Sequence, residues 1–196
     1  MSTAVQSALS STPLPPQGLM TEDEFLERHG GENNTELIDG VVVRYPTPGS
    51  KHGRACTKLS TRLDTFTEEN RLGRVVNCDT FVRVKINPPR VRGADVAYLS
   101  FAKWPEHLEF TDGPLPAAPE LVGEVKSPSD TWPQVVLKVN DYLQAGVLIV
   151  LVLDPSKRTI TAYRSGVEPT VFVVGDILII PDVLPGFSVP VASLFQ

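Results

Sequence analysis

Cysteine and histidine are scarce in this chain, long apolar runs are missing, and basic charge is not in excess, and each absence removes a class of function. Cys56 and Cys78 lie 22 positions apart, with no Cys-x-x-Cys and no paired histidines nearby. That spacing offers neither a zinc site nor a disulfide framework, and it suits a reduced, cytoplasmic setting. The longest apolar stretch, AGVLIVLVL at 145–153, falls far short of the ~20 residues a membrane helix needs. Its β-branched content reads as a buried strand. The net charge of −5 gives no whole-molecule attraction to polyanions, so any nucleic-acid contact has to rest on a local basic patch.

The chain does have enough apolar residues, 41% of 196, for one core that needs no cross-links. Residues 1–19, rich in Ser, Thr and Pro and without a basic start or apolar block, read as a flexible arm rather than a secretion signal. Residues 20–196 are expected to form a single domain. Within it, Thr21 with Glu24 three positions on is a capping box that starts a short helix, ended at Gly30. Asp39-Gly40 between two apolar runs predicts a tight hairpin turn. Ala55, Leu59, Leu63 and Phe66 recur at helical spacing and predict a long helix over 50–70. GRVVNCD, TFVRVKINPP and VRGADVAYLS follow as three strand-like segments, a meander; then come LVGEV, a helix over 133–145 and four further strands. The expected fold is α/β, with a mixed sheet flanked by helices and additional C-terminal strands.

Glu124 and Lys126 interrupt an otherwise apolar strand. Alternation places them on one face. An unpaired buried charge costs several kcal/mol, so this face must meet water, a partner or a metal. A second lone acid, Asp95, sits in RVRGADVAYLS between the small residues Gly93 and Ala97. If the two strands are neighbours, Asp95, Glu124 and the Val125 carbonyl offer three hard oxygens, suited to Mg2+, with Mn2+ as a substitute. Such a centre would hold a phosphate and polarise a water, with Lys126 orienting that water and offsetting charge in the transition state. Lys138 and Tyr142, four apart on the helix that follows, share a face toward the end of that strand.

Asp95 followed by Glu124-Val125-Lys126 resembles the PD-(D/E)xK nuclease pattern. The longer order of MTEDEFLE, ELIDG, a proline four residues before His52, ADVAYLS, APELVGEVKSPS, KVNDYLQAGV and LVLDPSKRTITAYR resembles the Uma-two family of restriction-type endonucleases, over Met20 to Phe195. The resemblance implies a restriction-endonuclease-like core and a metal site at Asp95 and Glu124. It also implies supporting roles for Glu36, of ELIDG, for His52, and for Lys138, which matches a helix lysine of the family. Ala94 stands where the family has proline before the first acid, and only the carboxylate matters there.

The expected activity is Mg2+-dependent hydrolysis of phosphodiester bonds in nucleic acid, DNA in the first instance and RNA as a variant. The rival is a nuclease-fold binding or assembly module without meaningful catalysis, dimerising through the apolar C-terminal strands. Arg83, Lys85, Arg90 and Arg92 either form the basic patch a DNA substrate needs or are ordinary charge at strand ends. Ser127 and Ser129 are expected to cap the helix after Glu124.

Overall fold

The computed structural model describes residues 18–196; the expected arm lies, up to position 17, outside the described residues. The elements run α1 (Glu22–His29), β1 (Thr35–Ile38), β2 (Val41–Arg44), α2 (Ser50–Glu69), β3 (Gly73–Lys85), β4 (Arg90–Ser100), β5 (Leu121–Val125), α3 (Trp132–Gln144), β6 (Ile149–Asp154), β7 (Thr159–Arg164), β8 (Val167–Phe172), β9 (Ile177–Ile179) and β10 (Ser188–Pro190), with a closing 3-10 turn at Val191–Phe195.

Local chemistry accounts for the first elements. The Thr21 backbone N–H donates to Glu24 at 2.9 Å, and the Thr21 hydroxyl accepts from the Glu24 N–H. The helix so capped buries Phe25 against Phe81, ring centroids 5.4 Å apart. At the β1–β2 turn Asp39 and Gly40 both have positive φ, 49° and 80°, the turn that matches the twist of a two-residue hairpin. α3 is capped by Thr131, not by Ser127 or Ser129: the Thr131 N–H and hydroxyl both donate to Gln134 Oε1, at 2.9 and 2.7 Å. Asp130 takes the Ser127 N–H instead, so the two serines belong to the turn before the helix.

The main sheet runs β2-β1-β4-β5-β6-β7-β8, with β3 on the remaining edge of β4. Only β5 and β6 are parallel, joined by α3 as a crossover. The sheet is therefore mixed and mainly antiparallel, flanked by helices as expected. On one face α2 and the C-terminal β9–β10 pair enclose Leu59, Leu63, Val96, Leu121, Leu151 and Leu178. On the other, α3 encloses Val122, Val135, Val139, Tyr142 and Val150. A Cβ at Gly123 would come within 2.4 Å of Leu59, so glycine in β5 is what lets α2 lie this close.

Two irregularities position the site. First, the expected pair of strands before β4 is one long strand, β3, broken by a bulge. Its register passes from Asn77↔Val96 to Thr80↔Ala94, so Cys78 and Asp79 together face Asp95. Both have positive φ, 65° and 57°, and no glycine marks the spot. Second, β1 and β5 share one edge of β4, since β3 takes the other. β1 pairs at Val91 and β5 from Val96 to Tyr98, which leaves a gap in the ladder over residues 92–95.

Candidate active site

Side chains fill this gap where a strand would otherwise lie. The Gly93 N–H donates to Glu36 Oε1 at 3.1 Å, and the Gly93 carbonyl accepts from Lys138 at 2.8 Å and from the Tyr142 hydroxyl at 3.2 Å. Every exposed strand-edge group needs a partner when buried, and here Glu36, Lys138 and Tyr142 supply it. A Cβ at Gly93 would sit 3.2 Å from Cβ of Asp79 in the bulge.

The two acids meet at this place. One step beyond the paired Val96 and Gly123, Asp95 and Glu124 come to the same cleft, which Glu36, His52, Val125, Lys126 and Lys138 also line. Asp95 Oδ2 accepts from the Val125 N–H at 2.7 Å and lies 3.1 Å from His52 Nε2. No partner for Oδ1 is found among the described residues. Glu124 accepts from Tyr142 at Oε1 and from Lys138 at Oε2, both at 2.8 Å. Lys138 also lies 3.1 Å from Glu36. The structure thus brings Asp95, Glu124, Glu36, His52, Lys138 and Tyr142 together.

Lys126 departs from the expected geometry. Lys126 follows the last residue of β5, Val125, and lines the cleft without touching Glu124. The Lys126 ammonium donates to the Ser127 carbonyl at 3.1 Å, and the lysine in contact with Glu124 is Lys138.

Electrostatics follow from this crowding. Burial, with Asp95 and Glu36 nearby, pushes the Glu124 carboxyl up to about 8 against the opposing pull of Lys138. Burial also raises Glu36, yet Lys138 and Arg92 outweigh it and hold Glu36 below the usual carboxylate range. Burial lowers His52, but its hydrogen bond to Asp95 and the charges of Asp95, Glu124 and Asp79 raise it overall. Burial and the same acids push the Cys56 thiol far up. A free oxygen at Asp95 beside the buried Glu124 carboxyl is a hard-oxygen pair that fits a divalent cation.

Of the two readings of Arg83, Lys85, Arg90 and Arg92, the ion pairs they make do not favour a basic patch. Arg92 is buried, 2.7 Å from Glu36 and 2.6 Å from Asp141. Arg90 pairs with Asp39 and with Asp141, Lys85 with Asp39 at 3.5 Å, and Arg83 with Glu22. These residues tie the hairpin and α1 to β3, β4 and α3, and the charge of Arg90 and Arg92 is spent internally, whereas Arg83 and Lys85 pair at the surface. A different basic row lies on α2: Lys51, Arg54, Lys58 and Arg62 recur at spacings of three, four and four, on one helix face. Among the described residues Lys51, Lys58 and Arg62 are in no ion pair, while Arg54 donates to the Gln196 carbonyl. Sequence reasoning also missed Asp79, brought to the cleft by the bulge, and Asp141, the buried partner of two arginines. The lone acid Asp141 in an apolar helix was the one available signal.

A mixed sheet with two acids at a break in its ladder defines a restriction-endonuclease-like fold. A crystal structure described as a putative nuclease belonging to DUF820, from Anabaena variabilis, shares it with a TM-score of 0.78 at 22% identity, over 90% of this chain and 97% of that one. Residues 22–192 match Uma2, described as a putative restriction endonuclease family, and the chain belongs to that family. No curated protein matches the chain. No helix among the described residues is long and apolar enough to cross a membrane.

Proposed function

We propose that the protein is a metal-dependent endonuclease that hydrolyses phosphodiester bonds of nucleic acid, with DNA as its substrate. The observation that carries this reading is the free Oδ1 of Asp95 beside buried Glu124, at a gap in the sheet that opens to solvent. Asp95, Glu124 and the Val125 carbonyl would hold the cation, Mg2+ or in its place Mn2+. Such a cation, when bound, supplies positive charge to a phosphate and acidifies a water.

The chain's own groups do the positioning. The Val125 N–H and His52 fix Asp95. Lys138, itself anchored on Glu36 and the Gly93 carbonyl, and Tyr142 fix both oxygens of Glu124. Lys126, held by a single carbonyl at the cleft, is free to turn toward an attacking water and to offset charge growing on the phosphate. The basic row on α2, the helix that carries His52, supports contact with a phosphate backbone.

The second reading, a binding module with weak catalysis or none, is favoured by one observation: Glu124 already has a donor on each oxygen. Calorimetric titration with Mg2+ and Mn2+ separates the two. The nuclease reading predicts saturable millimolar or tighter binding that Glu124→Ala removes. Absence of binding to the unaltered chain supports the module.

A further inference from the structure

The side chains of His52, Cys56 and Asp95 form a cluster only half used by the chemistry above. His52 and Cys56 are one turn apart on α2, so both project from the same helix face. The imidazole bridges the other two, with Nδ1 3.4 Å from the Cys56 sulfur and Nε2 3.1 Å from Asp95 Oδ2. One donor atom from each of the three lies within 4.8 Å of the others. Phosphodiester hydrolysis gives Cys56 no task, and a neutral thiol facing an imidazole and a carboxylate is an unusual neighbour for a site made of hard oxygens.

We propose that His52, Cys56 and Asp95 bind a thiophilic divalent cation of the zinc class. Sulfur and imidazole nitrogen select such ions over Mg2+, which takes oxygen. At bond lengths of roughly 2.0–2.3 Å, donors around a four-coordinate ion stand about 3.3–3.8 Å apart. The 3.1 and 3.4 Å contacts use different ring nitrogens, and an ion takes only one of them; with one donor atom from each residue within 4.8 Å of the others, the side chains must close by about 1 Å to reach that spacing. Three protein donors leave the fourth position to water from the cleft. Binding converts the thiol to thiolate, and the proton passes to solvent. Because Asp95 belongs to both donor sets, zinc-class and magnesium-class occupancy exclude one another; that consequence rests on the proposed function, whereas the binding itself does not.

Co2+ is the probe, because a cobalt–thiolate bond absorbs in the near ultraviolet. Titrated into the full chain in a phosphine reductant, Co2+ is expected to give a band that saturates at one equivalent and is abolished by one equivalent of Zn2+. Cys78→Ser keeps the band and Cys56→Ser loses it, with circular dichroism confirming the fold of each. A band that never saturates, that survives in folded Cys56→Ser, or that disappears in folded Cys78→Ser overturns the proposal. Alkylation of the unaltered chain, mapped by mass spectrometry, needs no variant: Zn2+ should slow labelling of Cys56 at least tenfold and leave exposed Cys78 unaffected. Equal labelling of Cys56 with and without Zn2+ also overturns it. Neither readout involves cleavage, so failure of the nuclease reading and failure of this one are told apart.

Discussion

Lys138 is the residue on which the buried charges balance. It faces Glu124 and Glu36 at 2.8 and 3.1 Å, and removing it leaves two carboxylates without their shared cation. Breaking a buried pair from one side costs about 3–5 kcal/mol. Lys138→Met is therefore expected to lower unfolding free energy by about 3 kcal/mol in urea titrations, while Lys126→Ala, losing one contact to a carbonyl, changes it by roughly 0.5 kcal/mol or less. Similar losses from both would place Lys126 in the buried network. Glu36 adds a pH dependence. Its folded pKa is depressed, so its contribution is present above the ordinary glutamate value of about 4.3 and is lost as pH falls through the lower folded value. Thermal melts from neutral pH downward should show the unaltered chain losing more stability below about pH 4 than Glu36→Gln, which starts less stable and titrates no carboxyl there. Parallel acid profiles would remove Glu36 from the account.

Elements divide into those legible in sequence and those set by distant contacts. The Thr21 capping box, the Asp39-Gly40 turn and the stripe of α2 are local and could be read directly. So could Asp95 and Glu124 as lone acids in apolar strands; the antiparallel pairing of β4 with β5 then makes them neighbours. The bulge at Cys78 and Asp79 was not legible, because both take positive φ without glycine and the polar residues there resemble an ordinary strand break. Nor was the fate of Arg92, whose partner Asp141 lies 49 positions away. The Lys126 ammonium, which alternation set beside Glu124, is instead held by the Ser127 carbonyl, and Lys138 takes the contact with Glu124. For α2, the unpaired basic row carries a prediction of its own. Lys51→Ala with Arg62→Ala should weaken duplex DNA binding and reduce the slope of log affinity against log salt by about 2, one for each lost phosphate contact. Arg83→Ala, already paired with Glu22, should leave that slope unchanged; the reverse pattern would move the interface to β3.

At the scale of the whole molecule, the sheet ends at β8, an open edge with free backbone groups on one side. Val167, Val171 and Val173 are exposed along it, and Ile177 and Ile179 of β9 nearby, each about half accessible. Exposed apolar edges of this kind pair or aggregate unless covered, which is the surface the binding-module reading expects two copies to share. Sedimentation is expected to show a dimer that Val171→Lys with Ile177→Lys converts to monomer; a monomeric parent would end that part of the account. The gap in the sheet at β4 is the other whole-molecule feature. Strand pairing, a bulge and two helices converge there to bring Glu36, Asp95, Glu124 and Lys138 together. The most direct test is cleavage of duplex DNA with Mg2+ by the unaltered chain and by Asp95→Ala, with folding of the variant verified by its melting curve. The account predicts Mg2+-dependent cutting by the parent and none by the variant. Equal cutting by both, or none by the parent with Mg2+ or Mn2+, would contradict it.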